Sequence, residues 1–277
     1  LIYPLHLLTL LIAVCIGGYV QYSGTADWIK HFAASTFLLQ PFFPSADYFF
    51  SFNSPSWSLG CEQLFYFCFP LIVPFLHTKR SLFITLLICL PIMLAGMYLT
   101  NEEQIKAYWY VNPFTRLPDF FVGVLLYQFY RSLCNKKLSY STGTLLEAVA
   151  LFLLFFLCAA DIPKVYRYSC YYWLPVSLII LIFALQQGGI SRLLSNRFLI
   201  IGGEISYSFY LIHLFIIDAY MRMSAHYHWQ IQWTISVPVI LCITIILSLL
   251  SFYYFEKPAN KWVKRIFNPP PPPPPPP

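Results

Sequence analysis

The chain has 277 residues, of which 58% are hydrophobic and only 10% charged, with 26 Phe and 21 Tyr. Soluble domains carry about 25% charged residues, so this composition excludes a water-soluble globule. The net charge of +6 then reads as basic loops on one membrane face rather than as a nucleic-acid surface.

Apolar runs of about 20 residues recur along the chain and predict an all-α, polytopic transmembrane helical bundle. In chain order the predicted spans are 1–20, 57–76, 82–100, 116–131, 144–160, 170–187, 198–220 and 234–254, eight in all. Residues 32–52 are apolar too, but Pro41, Pro44 and Asp47 interrupt them, which predicts a re-entrant or interfacial segment. The membrane domain is placed at 1–266. Residues 267–277, which run into Pro269–Pro277, form a disordered polyproline tail. The chain opens at Leu1 inside an apolar run, so further sequence is expected upstream.

The basic residues orient the spans. Lys79, Arg80, Arg131, Lys136, Lys137, Arg192, Arg197, Lys257, Lys261, Lys264 and Arg265 fall on one face. Lys30, Lys106, Arg116, Lys164, Arg167 and Arg222 fall on the other. The richer face is cytoplasmic by the positive-inside rule, and both termini lie on it. Residues 21–56 and 101–115 become extracytoplasmic loops. The eight cysteines include no CxxC pair and sit mostly in apolar runs. They read as small buried hydrophobes, with no metal site.

Three stretches put polar groups inside apolar helices. In "NSPSWSLGCEQLFYFCFPL" (53–71), Ser54 is an expected N-cap and Pro55 suits the first helical position. Glu62 then lies roughly 10 Å down the helix at 1.5 Å per residue. A charge at such depth costs about 2.5–3.5 kcal/mol on insertion scales, so it faces the bundle. Ser58, Glu62, Phe65 and Phe69 share one helix face. Glu62 either works in a site or pairs with an Arg or His to lock two helices. In "RLPDFFVGVLLY" (116–127), Arg116 and Asp119 either join Glu62 in an outward-facing polar cavity or simply stabilise each other at i and i+3. In "GEISYSFYLIHLFII" (203–217), Glu204 and Ser206 sit at the cytoplasmic end and His213 near the midplane. Ser206, Tyr210 and His213 share a face, and His213 either carries a proton or hydrogen-bonds across helices. The other histidines, His6 and His31 among them, carry little signal at this level. No GxSxG, P-loop, GxGxxG or HExxH occurs.

These stretches, with "LIYPLHLL" (1–8) and "FEKPANKWVKR" (255–265), resemble the acyltransferase-3 family of membrane acyltransferases. That family includes O-acetyltransferases of O-antigen and other cell-surface glycans. The resemblance implies ten spans, of which this chain holds eight, in a bacterial inner (plasma) membrane. It implies transfer of an acyl group, in the first instance acetyl, from cytoplasmic acyl-CoA to a hydroxyl of an extracytoplasmic glycan, free or lipid-linked. Acyl-CoA is a co-substrate, and no cofactor is bound. On this resemblance Glu62 and His213 are catalytic candidates, with the family's principal His expected upstream of Leu1. Ser56, Trp57, Ser58, Arg116 and Asp119 are acceptor-binding candidates. Tyr3, Glu204, Ser206 and Tyr207 are donor-binding candidates. Gly60-Cys61 departs from the small-acidic pair usual before the motif's glutamate. The competing class is a transporter or channel in which the same polar groups line a pathway without chemistry. Duplicated broken helices would favour it, and no internal repeat is found.

Overall fold

A computed structural model describes residues 2–17, 22–76, 78–229 and 232–267. The polyproline tail and His77 lie outside the described residues. All regular elements among the described residues are helical. In chain order they are α1 (Tyr3–Ile16), α2 (Thr25–Thr36), α3 (Ala46–Phe49), α4 (Trp57–Ile72), α5 (Lys79–Leu99), α6 (Pro113–Leu133) and α7 (Tyr140–Ala159). There follow α8 (Lys164–Arg167), α9 (Trp173–Leu185), α10 (Gly189–Leu194), α11 (Arg197–Glu204), α12 (Ser206–Tyr227), α13 (Trp233–Ser251) and α14 (Lys257–Phe267).

Local chemistry sets several of these boundaries. Thr78 and Ser81 form a reciprocal capping box that opens α5. The Asn112 side chain accepts from the Phe114 N–H at 2.9 Å and Pro113 fills the first position of α6. Ser139 caps α7 through the Thr142 N–H at 3.1 Å. Three described helices are long and apolar enough to cross a membrane: α5, α7, and the continuous run Trp233–Ile266. The pair α11 and α12 makes a fourth if its 66° bend lies within one span.

Two expectations differ in detail. The predicted span 198–220 is broken at Ile205, just after Gly202 and Gly203, whose low helix propensity makes this the weak place in the run. The predicted helix 57–76 starts as α4 at Trp57, because Ser54–Ser56 form a 3-10 turn, and it ends at Ile72. Ser54 is therefore not its N-cap.

The chain divides into two compact units. The first combines the described residues of Leu1–Phe37, Phe50–Ser56 and Ile201–Pro277. Here α2 returns alongside α1, so that the Tyr3 hydroxyl donates to the Thr36 carbonyl. Leu10, Ala13 and Phe52 pack beneath Trp28 and Phe32. The Asn53 amide donates to the Leu211 carbonyl at 3.2 Å, and the Tyr210 hydroxyl donates to the Pro55 carbonyl at 2.9 Å. Within the predicted loop 21–56, the described residues 22–37 and 50–56 thus fold into this unit, and Asn53 and Pro55 reach the first turns of α12.

The second unit is Leu38–Phe49 with Trp57–Ile200. A cluster of Met93, Met97, Trp109 and Val165 joins α5, the segment before α6, and α8. Gly60 explains the departure noted in its motif. A Cβ there would lie 2.5 Å from the Leu38 carbonyl oxygen and from Pro41, so only glycine lets that segment cross α4 so closely.

Candidate active site

In the second unit, α6 carries Arg116 and Asp119 one turn apart. The Arg116 Nη1 donates to Asp119 Oδ2 at 3.0 Å, and its Nε donates to the Tyr110 carbonyl at 2.8 Å. The guanidinium lies 5.3 Å from the Tyr110 ring centre. Asp119 is held from a second helix, because the Trp173 indole N–H at the start of α9 donates to its other oxygen. Tyr110 meets Trp57 at 4.8 Å and Tyr168 at 5.0 Å between ring centres. The result is an aromatic wall beside an ion pair, with planar apolar faces adjacent to fixed donors and acceptors. Such surfaces suit a sugar, whose hydroxyls need partners and whose C–H faces need rings.

Glu62 is half-buried on α4, and the Tyr66 hydroxyl donates to it at 3.3 Å from one turn away on the same helix. Among the described residues no Arg, Lys or His forms an ion pair with Glu62. The helix-locking reading of Glu62 therefore finds no partner. Ser58 is half-buried on the same face, and Phe65 and Phe69 both contact the Phe120 ring of α6. Between α4 and α6 a groove of about 680 Å³ runs past Phe65, Phe69, Phe120 and Tyr127 to Asp119.

The remaining candidates belong to the first unit. Ser56 is buried, and its hydroxyl donates to the Asn53 carbonyl at 2.7 Å. Tyr207 donates to the Ile2 carbonyl, as Tyr3 does to Thr36. Both hydroxyls thus tie helices together through backbone oxygens. Glu204 and Ser206 are exposed on either side of the bend. The His213 Nδ1 bonds the Tyr210 carbonyl of its own helix at 2.7 Å. A carbonyl can only accept, so Nδ1 carries a hydrogen in this contact.

Three polar residues that sequence reasoning passed over are buried. His6 is fully buried, and its Nε2 donates to the Ser35 carbonyl at 2.9 Å while Nδ1 has no partner. Glu147 on α7 is 1% exposed and accepts from the Gly188, Ile190 and Ser191 N–H groups at 3.1, 2.8 and 3.2 Å. Glu256 accepts from the buried Ser208 hydroxyl at 2.7 Å. A lone Glu in the apolar run 144–160 was the available signal for Glu147. For His6 it was its place inside a span.

A family profile described as an acyltransferase domain, that of the acyltransferase-3 family, matches residues 2–253. The chain belongs to that family. It is also 26% identical over 256 residues to the acyltransferase MdmB of Streptomyces mycarofaciens, a match covering 84% of this chain and 64% of that protein. It is 28% identical over 221 residues to the O-acetyltransferase OatA of Staphylococcus aureus, covering 74% of this chain and 36% of that protein. The chain spans less than two thirds of the length of either relative. No solved structure matches it significantly. Within this acyltransferase-family chain, both the Arg116–Asp119 pair and the stretch around Glu62 fall inside the matched residues.

Proposed function

We propose that the protein transfers an acyl group, in the first instance acetyl, from cytoplasmic acyl-CoA to a hydroxyl of an extracytoplasmic glycan or related envelope acceptor. The observation that carries this reading is the Arg116–Asp119–Trp173 cluster set against the Trp57–Tyr110–Tyr168 aromatic wall. Family membership and the likeness to a named O-acetyltransferase support it. In this reading the chain crosses a bacterial inner membrane eight times, with both described ends cytoplasmic. Residues 32–52 enter as a re-entrant segment.

The acceptor meets Trp57, Ser58, Arg116 and Asp119, while the donor approaches near Tyr3, Glu204, Ser206 and Tyr207. The acceptor hydroxyl oxygen attacks the thioester carbonyl carbon as its proton passes to a base. The tetrahedral oxyanion then collapses, expelling the CoA thiolate, which takes up a proton. Glu62 holds the acceptor hydroxyl or orients the base, and His213 is a second candidate for carrying the proton. The test supplies labelled acetyl-CoA to the cytoplasmic side of sealed membrane vesicles carrying the protein. Label on a glycan recovered from the opposite side is expected. Passage of a solute without covalent label would sink the reading in favour of transport.

A further inference from the structure

A second cavity in the same unit lies on the other flank of α6, between α6 and α9, with a volume of about 390 Å³. Its charged lining consists of Arg116, Asp119 and Arg167. Asp119 already neutralises Arg116 through a 3.0 Å ion pair. Arg167 has no such partner: its Nε donates to the Tyr172 hydroxyl at 3.3 Å, and among the described residues no carboxylate lies within ion-pair distance of it. The cavity therefore presents one uncompensated guanidinium, whose remaining N–H groups form a planar fork suited to a carboxylate or phosphate.

The same cavity is lined by Ser169, which is 5% exposed. Its hydroxyl oxygen is buried and has no hydrogen-bond partner. A buried hydroxyl left unpaired costs free energy, so its presence on a cavity wall calls for a polar group from whatever fills the space. The lining also includes the aromatic residues Tyr110, Tyr168, Tyr172 and Trp173. Cation, unpaired hydroxyl and ring faces thus converge on one volume.

We infer that this cavity binds an acidic saccharide, with Arg167 on the sugar's carboxylate or phosphate, Ser169 on a ring hydroxyl and the tyrosines on its apolar face. This rests on the acceptor reading above and narrows it to anionic glycans. A neutral sugar would leave Arg167 without a counter-charge. A simple anion would leave the ring faces unused.

The test is equilibrium binding to the protein in lipid nanodiscs, without acyl-CoA, using methyl glucuronide, methyl glucoside, glycerol 3-phosphate and CoA as probes. Methyl glucuronide should bind about tenfold more tightly than methyl glucoside, the scale of one charge-assisted contact. Arg167→Gln should erase that preference while leaving methyl glucoside binding in place, and Arg167→Lys should keep it. Ser169→Ala should weaken both glycosides about threefold. Equal affinity for the two glycosides would overturn the inference, as would an unchanged preference in Arg167→Gln. So would displacement of the glucuronide by glycerol 3-phosphate or CoA at equal or lower concentration, which would assign the cation to a lipid headgroup or to the donor. Because the assay needs no acyl transfer, a preference without transfer keeps the substrate class and removes the enzyme reading. Transfer without a preference does the reverse.

Discussion

Two carboxylates of the second unit, each on an apolar helix, have opposite surroundings. Glu147 on α7 is well partnered: three backbone N–H groups at the start of α10 donate to it, and Gly188 sits so close that a Cβ would lie 2.2 Å from Oε2. Glu62 on α4 is half-buried and receives one 3.3 Å bond from its own helix. The first carboxylate is consumed by the fold, since its charge complements the N–H groups of a helix start that would otherwise be unpaired. The second is left with lone pairs that no described Arg, Lys or His fills. A charge in an apolar helix is therefore ambiguous until its partners are known.

The sharpest way to break this contrast is to neutralise each carboxylate in turn. Glu62→Gln should lower acyl transfer by about 100-fold or more, the scale of a lost acid–base or orienting group. Its abundance and melting temperature in detergent should stay near wild type. Normal activity with reduced abundance would show that Glu62 is structural after all. Glu147→Ala should do the opposite: it strands three buried N–H groups and should cost about 3 kcal/mol of stability, read as a fall in melting temperature. A Glu147→Ala protein that melts like wild type would end the comparison.

A smaller effect is expected at His6, whose bond to Ser35 ties α1 to α2. His6→Gln can place an amide N–H where Nε2 was and should retain most of the stability. His6→Ala should lose about 1–2 kcal/mol. If the two variants melt together, the tie contributes nothing.

The smallest effect concerns pH. Burial is the main cause that pushes the Tyr22 phenol up to about 12, helped by the nearby Asp27. Since a tyrosine ordinarily titrates near 10, the folded protein holds this proton longer than the unfolded chain does. Its contribution is full below pH 10 and is lost as pH rises from about 10 to about 12. Tyr22→Phe should flatten the fall in melting temperature over that interval. An identical alkaline fall in both proteins would assign it elsewhere.

Much of the fold was legible because burial in a bilayer demands long apolar runs with internally satisfied backbones. Each of the eight predicted spans contains helix, but only α5, α7 and Trp233–Ile266, or four with the bent α11–α12 pair, are long and apolar enough to cross a membrane, while α1 and α9 are shorter and 57–76 stops at Ile72. Arg116 and Asp119 were readable as a pair because i and i+3 are neighbours on any helix. The fold of 22–37 and 50–56 was not readable, since it depends on contacts with α1 and α12.

The sequence by itself determined an all-helical membrane chain, the place of its apolar runs, and the motifs that mark its acyltransferase family. Those properties are local: they follow from hydropathy and from residues a few positions apart. Only the tertiary structure decided which polar groups are spent and which are left over. It set Trp173 on Asp119 across a separation of 54 residues, and it closed Glu147 against Gly188 and His6 against Ser35. It also brought Arg167 and Ser169 to one cavity with Arg116. Hydrogen-bond satisfaction is a property of pairs distant in the chain, and no local pattern encodes it.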